Sequence, residues 1–158
     1  MSSAPVMTIA VETPLSDEMR AMIGELNAVL SSLTSEGACH QLSVEQMADA
    51  RTTVFVARVS GQIAACGSLY RHGDGIAEVK RMYTRPVFQG LGLARQLLDR
   101  ILALAIEEGF SEAVLETGVN YDAAKRLYET SGFAVCGPIL DYPAHSESLF
   151  YSRRLTAA

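Results

Sequence analysis

The stretch Gln89-Gly90-Leu91-Gly92-Leu93-Ala94-Arg95 constrains this chain more than any other, because it stands between a strand-like segment and a strongly periodic helix. The helix is expected over 90–108, where Leu93, Leu97, Leu98, Ile101, Leu102, Leu104 and Ala105 form one apolar stripe and Gly109 supplies the stop. A helix start exposes backbone N–H groups that no earlier turn accepts, at the positive end of the dipole. Glycines there let a phosphate come close to the main chain, so the segment is suited to hold an anion. The plainer alternative is a helix start that only tolerates glycine.

Two familiar phosphate turns are excluded. A Walker A turn ends in Gly-Lys-Ser/Thr, and none occurs here. A dinucleotide fingerprint needs Gly or Ala where Arg95 stands, and it follows a first parallel strand rather than a mid-chain meander.

The preceding segment fits such a meander. Strands are expected over 6–11, 53–59, 62–70 and 76–84, with Ser60-Gly61 as a hairpin turn and a second tight turn at 72–75. Ser16 caps a helix bearing Met19, Met22, Ile23, Leu26, Val29 and Leu30, which fades near Leu33. A loop follows over 34–41, and Ser43 with Gln46 forms a capping box for a shorter helix. Loop 85–89 contains Pro86. Beyond the long helix come a buried strand over 113–116, a helix from its cap Asp122 through Glu129, and strands over 133–136 and 149–155. The fold class is therefore α/β, a mixed sheet with helices packed on it, and 76–116 forms a strand–helix–strand crossover. In the strand over 76–84 the apolar parity switches between Val79 and Met82. A β-bulge explains this, and so does a strand partly buried on both faces.

The chain has 158 residues, which fits one domain over 1–158, with frayed ends at 1–5 and 156–158. A net charge of −5 argues against nucleic acid as a partner, since the basic groups Lys80–Arg81–Arg85, Lys125–Arg126 and Arg153–Arg154 are small. Cys39, Cys66 and Cys136 lie far apart, and His40, His72 and His145 have no ligand spacing, so packed thiols are expected and no metal. Cys39 and His40 are sequence neighbours, which is poor geometry for a nucleophile and its base. No signal peptide or spanning segment is visible, so no membrane is expected and a cytoplasmic location is inferred. Exposed edge strands leave a homodimer open.

The segment Glu78-Val-Lys-Arg-Met-Tyr-Thr-Arg-Pro-Val-Phe-Gln-Gly-Leu-Gly-Leu-Ala94 resembles the acetyl-CoA-binding core of the GNAT N-acetyltransferase superfamily. Leu127-Tyr-Glu-Thr-Ser-Gly-Phe133 is similar to that family's second motif, about 35 residues further on. The pair at this spacing is more specific than either motif, and the element order agrees over nearly the whole chain. Residues 1–50 agree in architecture only. The resemblance implies a central, mostly antiparallel sheet of about six or seven strands with a splayed parallel pair, flanked by about four helices. It implies acetyl-CoA as co-substrate, its pantetheine arm paired with Met82, Tyr83 and Thr84. The pyrophosphate would lie on the N–H groups of Gln89, Gly90, Leu91, Gly92, Leu93, Ala94 and Arg95. Tyr128 would sit near the sulfur. Where many members carry Asn, seven residues before the motif tyrosine, this chain has Tyr121, with Asn120 one residue earlier.

Transfer of acetyl from a thioester to an amine needs a neutral amine, a stabilised oxyanion and a protonated thiolate. The expectation is direct attack by a primary amine of a small molecule or peptide in a ternary complex. Glu78 is the candidate base, through water, unless it is an edge carboxylate paired with Lys80 or Arg81. Glu116 is the second candidate, with a substrate-binding or structural role as its alternative. An open N–H at Met82 would face the thioester oxygen. Tyr128 would protonate the thiolate, unless it is an amphipathic core tyrosine. Substrate contacts are expected from 30–41, the second helix and 138–147, with Asp141, Tyr142 and His145 as lining candidates. Rival functions are a non-catalytic acyl-CoA sensor on the same fold, a transferase acting on aminoacyl-tRNA and a plain interaction module.

Overall fold

The computed structural model describes residues 6–33 and 42–156. Seven strands form one sheet: β1 (Met7–Val11), β2 (Thr52–Val59), β3 (Gln62–Arg71), β4 (Ile76–Thr84), β5 (Glu112–Gly118), β6 (Ala134–Cys136) and β7 (Ser148–Arg154). Their spatial order is β1-β2-β3-β4-β5-β7-β6. Every pairing is antiparallel except β4 with β5, which the crossover makes parallel. The helices are α1 (Asp17–Leu33), α2 (Val44–Met47), α3 (Leu93–Glu107) and α4 (Asp122–Thr130).

Alternation along the strands sends side chains to two cores. From β2, Phe55, Ala57 and Val59 join Leu97, Leu98 and Ile101 of α3. Val54 and Val56, between them in sequence, join Met19, Met22 and Ile23 of α1 and Met47 of α2. The sheet is thus sandwiched, with α3 and Tyr128 of α4 on one face and α1 and α2 on the other. The caps expected for α1 and α2 are present. Ser16 Oγ accepts from the Met19 N–H at 3.2 Å. Ser43 and Gln46 exchange both bonds of a capping box. Ser60 and Gly61 turn the β2–β3 hairpin with φ of 50° and 83°, the left-handed pair such a turn requires.

Some boundaries differ from the sequence expectation. Segment 85–89 is not a plain loop, because Pro86–Phe88 closes one 3-10 turn. Helix α3 starts at Leu93 rather than position 90, since Gly92 at φ 80° cannot take part in a right-handed turn. Asp122 lies inside the first turn of α4, and Tyr121 holds the cap position. Strand β5 extends to Gly118, and β6 begins after Phe133. The loop expected over 34–41, with Cys39 and His40, lies outside the described residues, as do the terminal segments 1–5 and 157–158.

Candidate active site

The site arises where the sheet splits. β4 and β5 are in register only at Ile76–Glu112, Ala77–Ala113 and Glu78–Val114. Beyond Glu78 the two parallel strands part, and the edge of β4 that faced β5 has no strand beside it. Both explanations of the parity switch hold: residues 77–81 are buried on either face, and a bulge is present. Ser68 pairs with Lys80 and Cys66 with Tyr83, so Gly67 opposes both Arg81 and Met82. Arg81 takes φ 57° there. Gly67 leaves room for the Met82 side chain, whose Sδ lies 2.3 Å from where a Cβ would stand, so a larger residue there would displace Met82. The split opens into a cavity of about 820 Å³ running between α1, β4, α3, β5 and α4.

One end of the cavity is built from main chain. Gly90 and Gly92 hold φ of 85° and 80°, and a Cβ on either would meet nothing within 4 Å. The Gln89 N–H is taken by Pro86 O at 3.2 Å, and the first bond into α3 is Gln96 N–H to Gly92 O at 3.1 Å. The N–H groups of Leu93, Ala94 and Arg95 therefore precede the helical ladder. With the positive end of the dipole behind them, these groups have the arrangement that can accept an anion at the cavity wall. Arg95 reaches across to Thr130 and Ser131 beside the end of α4 and ties the two helices together.

The opposite end is built from side chains. Val79 and Met82 both pack toward α3, so the two residues between them, Lys80 and Arg81, turn away from that core. Glu78 is 1 % exposed. Its carboxylate accepts from His72 Nε2 at 2.8 Å, from Lys80 Nζ at 3.1 Å and from the Tyr142 hydroxyl at 3.0 and 3.1 Å. Lys80 Nζ also donates to the Tyr142 oxygen at 2.9 Å. Burial and the adjacent Glu78 carboxylate hold the Tyr142 phenol well above its ordinary range. Arg81 is 7 % exposed and donates from Nη2 to Asn27 Oδ1 of α1. Burial holds its pKa below the usual arginine value.

Glu78, Met82, Tyr83, Thr84, Gln89, Gly90, Gly92, Leu93, Ala94, Arg95, Glu116 and Tyr128 all line the cavity. Leu91 does not, and 44 % of it is exposed. Tyr128 is buried against Phe133 and Tyr151, and that burial pushes its phenol well above the usual value. Asn120 and Tyr121 both line the cavity too. Tyr142 is not a lining residue but sits behind the wall, on Glu78 and Lys80. His145 stands apart from the cavity, where its Nδ1 accepts the Glu147 N–H at 3.0 Å. Lys80 is the partner of Glu78, and Arg81 is not. Sequence reasoning did not place His72 or Asn27 at the site. Arg81 had a signal, since a residue inside a bulge is turned out of strict alternation. Among the described residues no cluster of three metal-ligating side chains occurs, and no helix is long and apolar enough to cross a membrane. Cys66 is buried and its thiol is pushed up to about 12, which leaves it without nucleophilic character.

Comparison with known proteins agrees with this geometry. The model of the acetyltransferase (GNAT) family matches residues 25–133. An IAA acetyltransferase of Azospirillum brasilense is 37 % identical over 152 residues, covering 96 % of this chain and 99 % of that one. A crystal structure described as an acyl-CoA N-acyltransferase from Klebsiella pneumoniae superposes with a TM-score of 0.80 at 26 % identity, over 95 % of this chain and 98 % of the other. A streptothricin acetyltransferase structure from Bacillus anthracis, in complex with acetyl coenzyme A, shares the fold. Its TM-score is 0.62 at 20 % identity, over 74 % of this chain and 70 % of that one.

Proposed function

The chain belongs to the acetyltransferase (GNAT) family, and from that premise we propose that it passes the acetyl group of acetyl-CoA directly to a primary amine of a small molecule or peptide in a ternary complex. The observation that carries this reading is the opening of the sheet between β4 and β5 directly beside the glycine-lined start of α3. An extended pantetheine arm finds an unpaired strand edge at Met82 to Thr84, and the pyrophosphate finds the amides of residues 90–95.

The remaining chemistry falls to side chains on the wall. A lysine-like amine must lose a proton before it attacks, at a cost of about 4.6 kcal/mol at pH 7. In this reading Glu78 takes that proton through water, with the Tyr142 hydroxyl and Lys80 holding the carboxylate in place. Glu116, also on the cavity wall, is the second carboxylate available. The bulge at Arg81–Met82 frees a backbone N–H for the thioester oxygen. Tyr128 carries its proton at neutral pH as an ordinary tyrosine does, burial raises its pKa further, and in this reading it donates that proton to the departing thiolate.

The test is release of free thiol from acetyl-CoA across a broad panel of amines, with IAA included after the name of the Azospirillum relative. Amine-dependent thiol release with a matching N-acetylated product is expected. Tight acetyl-CoA binding with no turnover on any acceptor would end this reading.

A further inference from the structure

The two ends of the cavity differ in how their charges are matched. Lys80 is neutralised by Glu78, and Arg85, Arg58 and Arg71 each meet a carboxylate. Arg81 is the exception among the buried cations. It is 7 % exposed, it lines the cavity, and its one side-chain hydrogen bond goes to the neutral amide oxygen of Asn27. Its Nε–H is fully buried without a hydrogen-bond partner, and no carboxylate among the described residues pairs with it.

A buried charge lacking a counter-ion is expensive to keep, and a buried N–H lacking an acceptor adds to the cost. The fold also holds Arg81 at φ 57°, an unfavourable value for a residue that carries a Cβ. The bulge that imposes this conformation turns Arg81 toward α1, the side away from the glycine turn. Coenzyme A has its own anion seat at the start of α3. The Arg81 guanidinium is therefore placed for a different anion.

We propose that Arg81 binds a carboxylate on the acceptor, so that the enzyme acetylates amines that also carry a carboxylate. This rests on reading the cavity as the acyl-transfer site. A planar guanidinium matches a carboxylate with two parallel N–H bonds. A carboxylate is favoured over a phosphate because Glu78 and Glu116 line the same cavity, and a single added negative charge balances the one buried cation of that wall that meets no carboxylate among the described residues. Leu26 and Val29 of α1 give the acceptor an apolar contact next to Asn27.

The experiment compares amino acids and short peptides with their own carboxamides as acceptors, for wild type, Arg81→Gln and Arg81→Lys. In wild type, kcat/KM for the better free acids exceeds that of the matching amides by about tenfold or more, mostly through KM. Arg81→Gln brings the ratio to near unity without changing acetyl-CoA affinity, and Arg81→Lys keeps part of the preference. Amides used as well as acids by wild type, or an acid preference that survives in Arg81→Gln, would overturn the proposal. If wild type acetylates nothing, the acyl-transfer reading fails on its own. Calorimetric titration of N-acetylamino acids and their amides into the coenzyme A-loaded protein then decides the carboxylate site. Preference for the acid that Arg81→Gln removes upholds it, and equal binding refutes it.

Discussion

The two ends of the cavity are made of different material. At the α3 end the working groups are main-chain amides, set by two glycines within a run of seven residues. At the α1 end they are side chains, gathered from positions as distant in sequence as Asn27, His72, Lys80 and Tyr142. The first kind of site survives exchange of most side chains and depends on a backbone conformation. The second depends on each side chain and is free to differ between relatives. In the proposed reading, the first end suits a co-substrate that never changes and the second an acceptor that does.

The contrast is broken most severely at Gly92. Any side chain there is forced to φ 80°, at about 1–2 kcal/mol, and its Cβ enters the open space of the cavity. Gly92→Glu adds bulk and a negative charge where the pyrophosphate is to sit. Acetyl-CoA affinity should fall by about a hundredfold or more by calorimetry, with folding retained by circular dichroism. Gly92→Ala isolates the strain and should cost tenfold or less on the same estimate, about 1.4 kcal/mol per decade. Normal affinity in Gly92→Glu would mean that the main-chain end does not hold the co-substrate.

The same contrast explains what could be read from sequence. The glycine turn, the stripe of α3 and the bulge are local patterns, so each was visible in a window of a few residues. The strand–helix–strand crossover from β4 to β5 followed from the alternation of patterns, whereas the insertion of β7 between β5 and β6 has no local signal. Tyr142 was visible only as a residue in a Pro-containing loop, because its contact with Lys80 is formed by the folding of segments 62 residues apart. Arg81 was visible as one of several basic residues, and nothing local says that it is buried without a carboxylate beside it. His145 fitted the substrate pattern as well as Tyr142 did, yet its ring closes a turn with Glu147. Composition and spacing identify chemical types, and long-range contacts decide which of them meet.

Tyr128 lies between the two ends and sharpens the comparison. It touches core residues Phe133 and Tyr151 and also lines the cavity. Tyr128→Phe should reduce kcat by about ten- to a hundredfold, the range of a single acid–base group, with acetyl-CoA affinity unchanged. Burial raises the phenol above its ordinary pKa, so the proton stays on as pH rises through 10. The wild-type rate should therefore show no loss from this group at pH 9–10, where an ordinary tyrosine would begin to ionise. A rate that falls with the usual tyrosine profile, or a Tyr128→Phe variant at full turnover, would leave the residue with a packing role only.

Tyr142→Phe is the smallest of these changes and the most discriminating. The ring stays, and one hydroxyl is lost from a cluster in which it donates to Glu78 and accepts from Lys80. Glu78 keeps His72 and Lys80 as donors, so no charge is stranded. The donor and acceptor bonds lost, each at the low end of about 0.5–1.5 kcal/mol because Glu78 and Lys80 still satisfy each other, correspond together to about a five- to tenfold loss. That loss should appear in acceptor turnover and not in acetyl-CoA affinity, because the cluster stands at the opposite end of the cavity from the glycine turn. Measuring both quantities on one preparation keeps a general loss of folding separate from a local one. A Tyr142→Phe protein whose acetyl-CoA affinity fell as much as its turnover would show that the two ends are not independent, and the division between a main-chain half and a side-chain half would have to be given up.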